Sequence, residues 1–235
     1  MEELNSPSQT VVNNYTAPNS AKRLIASMRV ALVVGIVAAG KDSVMQILLK
    51  NSEYARIVTT VTRPPRLGEI QDVSYHFIDN QTATQNLLQH KYFEAKLVHG
   101  RVYGTTIAEL EKIAAQHKIA LADVDVQGVD EYHAADQAQL VAVFLIPPDF
   151  TIWQERWLAR GVTDANEKRV RMQSAVHELE HALSVTYYKF VVNDDLTRAA
   201  QLVNDIFHHQ DYDDDAARVT AQKLHDDIVD SLGNR

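Results

Sequence analysis

The stretch VVGIVAAGKDSV, Val33 to Val44, runs an apolar segment into Gly35-x-x-x-x-Gly40-Lys41. That frame suits a phosphate-binding loop. Gly35 permits the turn, Gly40 allows close backbone approach, and the helix start presents N–H groups to an anion, with Lys41 adding a point charge. The next position ordinarily carries a hydroxyl that faces magnesium. Here it is Asp42, followed by Ser43. A carboxylate about 5 Å from a phosphate charge costs roughly 3 kcal/mol at an effective dielectric of ~20. A magnesium ion between the two reverses that sign, because hard oxygen anions are its preferred ligands. The loop interior, Ile36-Val37-Ala38-Ala39, is apolar and has no third glycine. On these residues alone the segment reads equally as a nucleotide loop or as an apolar strand ending in a Gly-Lys turn.

Further chemistry lies downstream. Arg63 and Arg66 flank a stiff Pro-Pro spacer, and Tyr75 follows. Two guanidinium forks can grip a monophosphate bidentately, with tyrosine hydroxyls as neutral donors. Then come Glu94, Tyr103, Gly104 and Thr105, and a strand-like run ending in Asp123 and Asp125. Carboxylates in such positions can accept N–H donors from a ligand.

The elements TVTRPPRLGEIQDVSYHF, FEAKLVHGRVYGT, DVDVQG and VNDDL together resemble the guanylate kinase family, in its order and spacing, from about Val30 to about Ile206. The resemblance implies a three-layer α/β fold of P-loop NTPase type, with a central parallel sheet, a GMP-binding subdomain and a helical lid. It implies transfer of the γ-phosphoryl of ATP to GMP, with Mg2+. By the same resemblance Glu94, Thr105 and Asp125 read the base. Thr59, Arg63, Arg66, Tyr75 and Tyr103 hold the rest of GMP. Gly35, Ala38, Ala39, Gly40, Lys41, Asp42 and Ser43 face ATP, and Asn193 lies near its adenine. Lys41, Arg156, Arg160, Arg171 and Asp123 serve the transfer, and Asp42, Ser43 and Asp123 are the candidate metal ligands. The alternative is a guanylate kinase-like binding module impaired by its altered loop. A remoter one is a zinc peptidase, because His177-Glu-Leu-Glu-His181 matches H-E-x-x-H. No glutamate follows Glu180 to complete that site.

Positioning these groups requires alternating strands and helices. Near-continuous apolar runs at VALVV, IALADVDV, VAVFLI and KFVVN suit strands buried on both faces of a parallel sheet. Thr106 with Glu109, and Asp164 with Glu167, stand at capping spacing before helical segments. Phe150, Trp153 and Trp157 share a helical face, as do Leu224, Ile228 and Leu232. Residues 1–27 are polar and aperiodic and are expected to be a flexible arm. Residues 28–207 form the kinase-like domain, with the GMP subdomain at about 56–120 and the lid at about 150–182. An acidic segment and a helix follow at 208–235.

The chain has 46% hydrophobic residues, a formal net charge of -8 and no cysteine. These values support a packed core, argue against nucleic acid or an acidic membrane as a general partner, and exclude thiol chemistry. No apolar run is long enough to span a bilayer. The expected setting is cytoplasmic, with GMP and ATP as partners and homo-oligomerisation left open.

Overall fold

The structure is a computed structural model of the chain. It describes residues 11, 12, 14–66, 68–98, 100–135, 140–159, 161 and 164–233. The chain divides into two compact units: one comprises Met1–Val30, Glu53–Ala122 and Glu131–Leu140, the other Ala31–Ser52, Asp123–Asp130 and Val141–Arg235.

The elements run α1 (Asn19–Ala26), β1 (Val30–Gly35), α2 (Lys41–Leu48), β2 (Tyr54–Arg56), β3 (Thr60–Val61), β4 (His76–Phe77), α3 (Asn80–Leu88), β5 (Tyr92–Val98), β6 (Arg101–Thr106), α4 (Ile107–Ala114), β7 (Ile119–Asp123), α5 (Val126–Ala135), β8 (Leu140–Ile146), α6 (Phe150–Ala159), α7 (Ala165–Ser184), β9 (Tyr188–Val192), α8 (Leu196–Phe207) and α9 (Asp215–Gly233). This is an α/β fold with parallel sheet strands, as the alternation of apolar runs and capped helical segments requires.

In the first unit β2 and β7 pair in parallel, with Tyr54 opposite Ile119. A second sheet has the order β4-β3-β6-β5. Its β3–β4 pair is parallel, while β6 runs antiparallel to both β3 and β5. One face of β5 and β6 closes an apolar cluster of Val12, Ala83, Leu87, Tyr92, Ala95 and Val102. Residues 11, 12 and 14–26 belong to the expected flexible arm, yet α1 packs on α4 and β5, and Val12 is buried in that cluster. Burying the apolar side of α1, including Ala21 and Ile25, supplies the driving force.

In the second unit β1, β8 and β9 lie side by side in that order. β8 and β9 pair in parallel with Phe144 opposite Phe190. Every residue of β1 is buried, which is why its sequence reads as an unbroken apolar run. The caps read from sequence form: Thr106 accepts from the Glu109 N–H and Asp164 from the Glu167 N–H. Trp153 and Trp157 are buried from α6.

Candidate functional site

In the second unit the loop after β1 turns at Gly35, whose φ is +142°; a Cβ there would lie 2.2 Å from the Leu145 carbonyl oxygen. No larger residue fits. Gly40 then caps α2 with φ 101° and offers no side-chain hydrogen bond. The first N–H groups of α2 are therefore left to an anion or to water. The Lys41 ammonium folds back on the loop and donates to the carbonyls of Gly35 at 2.6 Å and Ile36 at 3.4 Å. Ala38 sits at φ 63°, a left-handed conformation that carries a steric cost for alanine. Asp42 is exposed in the first turn of α2, where the helix dipole favours a carboxylate. Ser43 is half-buried one position on.

The apolar loop interior is held from behind. The Trp153 indole N–H donates to the Val37 carbonyl at 2.7 Å. Asn193 is 4% exposed, and its amide N–H donates to the Ala39 carbonyl at 2.8 Å. Arg156 donates to the Asn193 carbonyl at 2.7 Å and to the Ala39 carbonyl at 3.4 Å. A guanidinium is thereby fixed beside the loop. Asn193 meets the structure as a buttress of Ala39. Arg171 is bonded along its own helix to Glu167 at 2.7 Å. Arg160 lies outside the described residues.

Asp123 and Asp125 stand exposed where β7 ends and α5 begins. Asp125 Oδ1 accepts from the Gly128 N–H at 2.7 Å, the geometry of an N-cap. Glu178 on α7 is the carboxylate that sequence reasoning missed as part of this region. Burial pushes its carboxyl up; Ser174 and Lys41 pull it back, while the charges of Asp125 and Asp123 push it further. Its placement beside lysine and two aspartates was masked by its membership of the HELEH string.

In the first unit Arg63 is the hub. Its Nε donates to the Tyr103 hydroxyl at 3.0 Å, and its two terminal nitrogens donate to Glu69 at 2.5 and 2.7 Å. The guanidinium lies 5.0 Å from the centre of the Tyr75 ring, which meets Tyr103 edge-on at 6.2 Å. Glu69 also accepts from the Arg66 backbone N–H at 2.7 Å. The Arg63 fork holds the Glu69 carboxyl well below the usual range, at about 2. Arg63, Tyr75 and Tyr103 are thus gathered as expected, while the Arg66 side chain is exposed. Glu69 was missed as a site residue, although its place in the RPPRLGE string was the available signal.

A second cluster sits on β5 and β6. Glu94 is buried, and its Oε1 accepts from the Thr105 N–H at 2.9 Å. Burial pushes its carboxyl up to about 7; bonds from Thr105 and the charge of Lys96 oppose this, and the charge of Glu131 adds to it. Thr105 is 1% exposed, and Thr59 is half-buried.

A family model described as guanylate kinase matches residues 27–210. The chain belongs to the guanylate kinase family. It is 34% identical over 163 residues to a guanylate kinase of Neisseria meningitidis serogroup A, covering 69% of this chain and 78% of that one. To a guanylate kinase of Maricaulis maris it is 32% identical over 171 residues, covering 72% and 78%. The crystal structure of guanylate kinase from Anaplasma phagocytophilum shares the fold, with TM-score 0.61 and 23% identity over 77% of this chain and 86% of that one.

As a guanylate kinase family member, the chain places the HELEH string on α7 without gathering its histidines. His177 is 82% exposed and pairs with Glu180, whereas His181 bonds Asp130 and meets Tyr187. Among the described residues no group of three or more His, Cys, Asp or Glu side chains could hold a metal. Membership of the guanylate kinase family, with the two histidines turned to different partners, stands against the zinc peptidase alternative. Among the described residues, no helix is long and apolar enough to cross a membrane.

Proposed function

We propose that the chain is an ATP:GMP phosphotransferase, with the transfer carried by charge and positioning rather than by a protein nucleophile. A GMP phosphate oxygen attacks the γ-phosphorus of ATP, and the bond from that phosphorus to the ADP oxygen breaks. The observation that carries the reading is the pairing of two built clusters in one subdomain: the Arg63–Tyr75–Tyr103 group for the ester phosphate and the Glu94–Thr105 group for the base edge. Asp125 supplies the further base acceptor, and Thr59 and Arg66 complete the GMP set. Tyrosine hydroxyls and a guanidinium suit a dianionic phosphate, and an ionised Glu94 takes guanine's N–H donors.

On the donor side, the open N–H groups at the start of α2 and the Lys41 ammonium suit the ATP phosphates. Arg156, already held beside Ala39, Arg160, and Arg171 once released from Glu167, neutralise the transferring group. Ser43, Asp42 and Asp123 are hard oxygen donors that fit Mg2+, an ion that keeps several waters and binds chiefly through substrate phosphates. When bound, the ion would neutralise charge on the β- and γ-phosphates. Asn193 acts from behind the loop, keeping Ala39 in place for the nucleotide.

A coupled assay of ADP release with ATP and Mg2+ tests this against GMP, AMP, CMP and UMP. GMP should be preferred over AMP by about 10⁴-fold in kcat/KM, the discrimination available to a site that leaves buried acceptors unpaired with the wrong base. Equal turnover of AMP would defeat the base assignment. Tight GMP binding by calorimetry with no ADP release would identify the impaired binding module.

A further inference from the structure

The residues preceding position 27 lie outside the span matched by the family model. Within the first unit, Val12 and Tyr15 of that stretch reach β5 at a chemically consequential place. β5 pairs with β6 through Tyr92↔Thr106, Glu94↔Thr105 and Ala95↔Gly104, with a register shift between Tyr92 and Glu94. Phe93 is the extra residue of a bulge. In an unbroken strand Tyr92 and Glu94 would share one face. The bulge separates them. Tyr92 and Ala95 enter the apolar cluster with Val12 and Leu87, while Phe93 stacks against Tyr132 at 4.6 Å and Glu94 meets the Thr105 N–H. A one-residue slip would carry a carboxylate into that apolar core.

The bulge needs external support, because β5 is the edge strand of its sheet. Tyr15 supplies it. Its hydroxyl donates to the Tyr92 carbonyl at 2.6 Å and accepts from the Tyr92 N–H at 3.1 Å, so one side chain stands in for a missing strand. The two rings meet edge-on at 6.3 Å, and Val12 anchors the same segment in the cluster. Across the pair, a Cβ on Gly104 would lie 2.8 Å from the Glu94 carbonyl oxygen and 2.9 Å from the Tyr92 ring, so this register calls for glycine there. Tyr15, Phe93 and Glu94 also line one cavity of about 160 Å³, which makes the N-terminal segment part of the wall around the carboxylate.

We propose that Tyr15 is a positioning residue for recognition of the purine edge: with Val12 anchored in the apolar cluster, it is a strap that pins the bulge and holds Glu94 facing the base. This rests on Glu94 being the acceptor of guanine's N–H donors. Tyr15→Phe keeps the ring and removes the hydroxyl. It should raise KM for GMP about three- to tenfold and lower the preference for GMP over AMP by a similar factor, the scale of one lost hydrogen-bonded restraint. Both kcat and KM for ATP should stay within about twofold, and the melting temperature should fall by only a few degrees. Glu94→Gln, measured alongside, separates the two premises. If it raises KM for GMP while Tyr15→Phe behaves as wild type, the strap is refuted and the role of Glu94 stands. If Glu94→Gln leaves KM for GMP unchanged, the role of Glu94 is refuted and the strap with it. A uniform loss of kcat and of both affinities in Tyr15→Phe would reduce Tyr15 to a structural contact and overturn the proposal.

Discussion

Glu94 sits at the meeting point of two demands. The proposed guanine recognition needs its carboxylate ionised, yet burial pushes the group up to about 7. Burial in the unliganded fold therefore favours the neutral acid, and N–H donors from the proposed ligand would favour the charged form. Because its value is raised above the ordinary 4.5, the folded state binds more protons than the unfolded one between 4.5 and about 7. Its stabilising contribution is full below 4.5 and is lost as pH rises through 7. Urea denaturation of the unliganded protein should show wild type losing up to about 3 kcal/mol between pH 5 and pH 8 relative to Glu94→Gln, whose slope at this site vanishes. GMP affinity should move oppositely, weakening by nearly tenfold per unit as pH falls below 7. A flat affinity profile between pH 5.5 and 8 would show that the carboxylate's charge is not what the ligand meets. Glu69 makes the contrast: a carboxylate clasped by Arg63 falls to about 2, so it stays charged throughout that range.

At the level of elements, much of the scaffold was legible because it is local. Thr106 and Asp164 announce helix starts by hydrogen bonds that span three residues. The apolar run of β1 announces a strand buried on both faces. The arginine and tyrosine strings announce the gathering of Arg63, Tyr75 and Tyr103 because these residues sit close along the chain or on neighbouring strands. What escaped depends mostly on distant partners: the Tyr15 hydroxyl on Tyr92, the bulge at Phe93 and the buttressing of Ala39 by Asn193; the clasp of Arg63 by Glu69 is local and was signalled only by the RPPRLGE string. Ala38 is the clearest case. Nothing about an alanine announces φ 63°, which the loop imposes on it between the turn at Gly35 and the cap at Gly40. Glycine pays no Cβ penalty in that region, though it gains freedom in the unfolded chain. Ala38→Gly should therefore stabilise the protein by about 0.5–1 kcal/mol in chemical denaturation, opposite in sign to a typical alanine-to-glycine change. A loss of about 1 kcal/mol would mean that the loop relaxes away from the left-handed conformation.

On the scale of the whole chain, the family model stops at 210, and the C-terminal helix α9 is built onto the second unit beyond it. Its stripe of Ala217, Ala221, Leu224 and Ile228 is buried, and the helix packs on α7 and β9. The amphipathic spacing of Leu224, Ile228 and Leu232 thus serves packing at home. The attachment is polar at one point. Asp214 is 7% exposed; it accepts from the Phe190 N–H at 3.1 Å and pairs with Arg218 at 2.8 Å and Lys189 at 3.4 Å. Arg218 in turn donates to the Tyr188 carbonyl at 2.7 Å and lies 4.7 Å from the centre of the Phe190 ring. One buried carboxylate therefore ties the first turn of α9 to the strand that leads towards Asn193. Asp214→Ala strips the acceptor from a buried N–H and leaves a guanidinium uncompensated, which should cost about 2–4 kcal/mol in chemical denaturation. Asp214→Asn keeps an acceptor for the N–H and loses only the charge, so it should cost less than half of that. Equal losses in the two variants would show that the charge alone holds α9. No loss in either would show that the apolar stripe suffices.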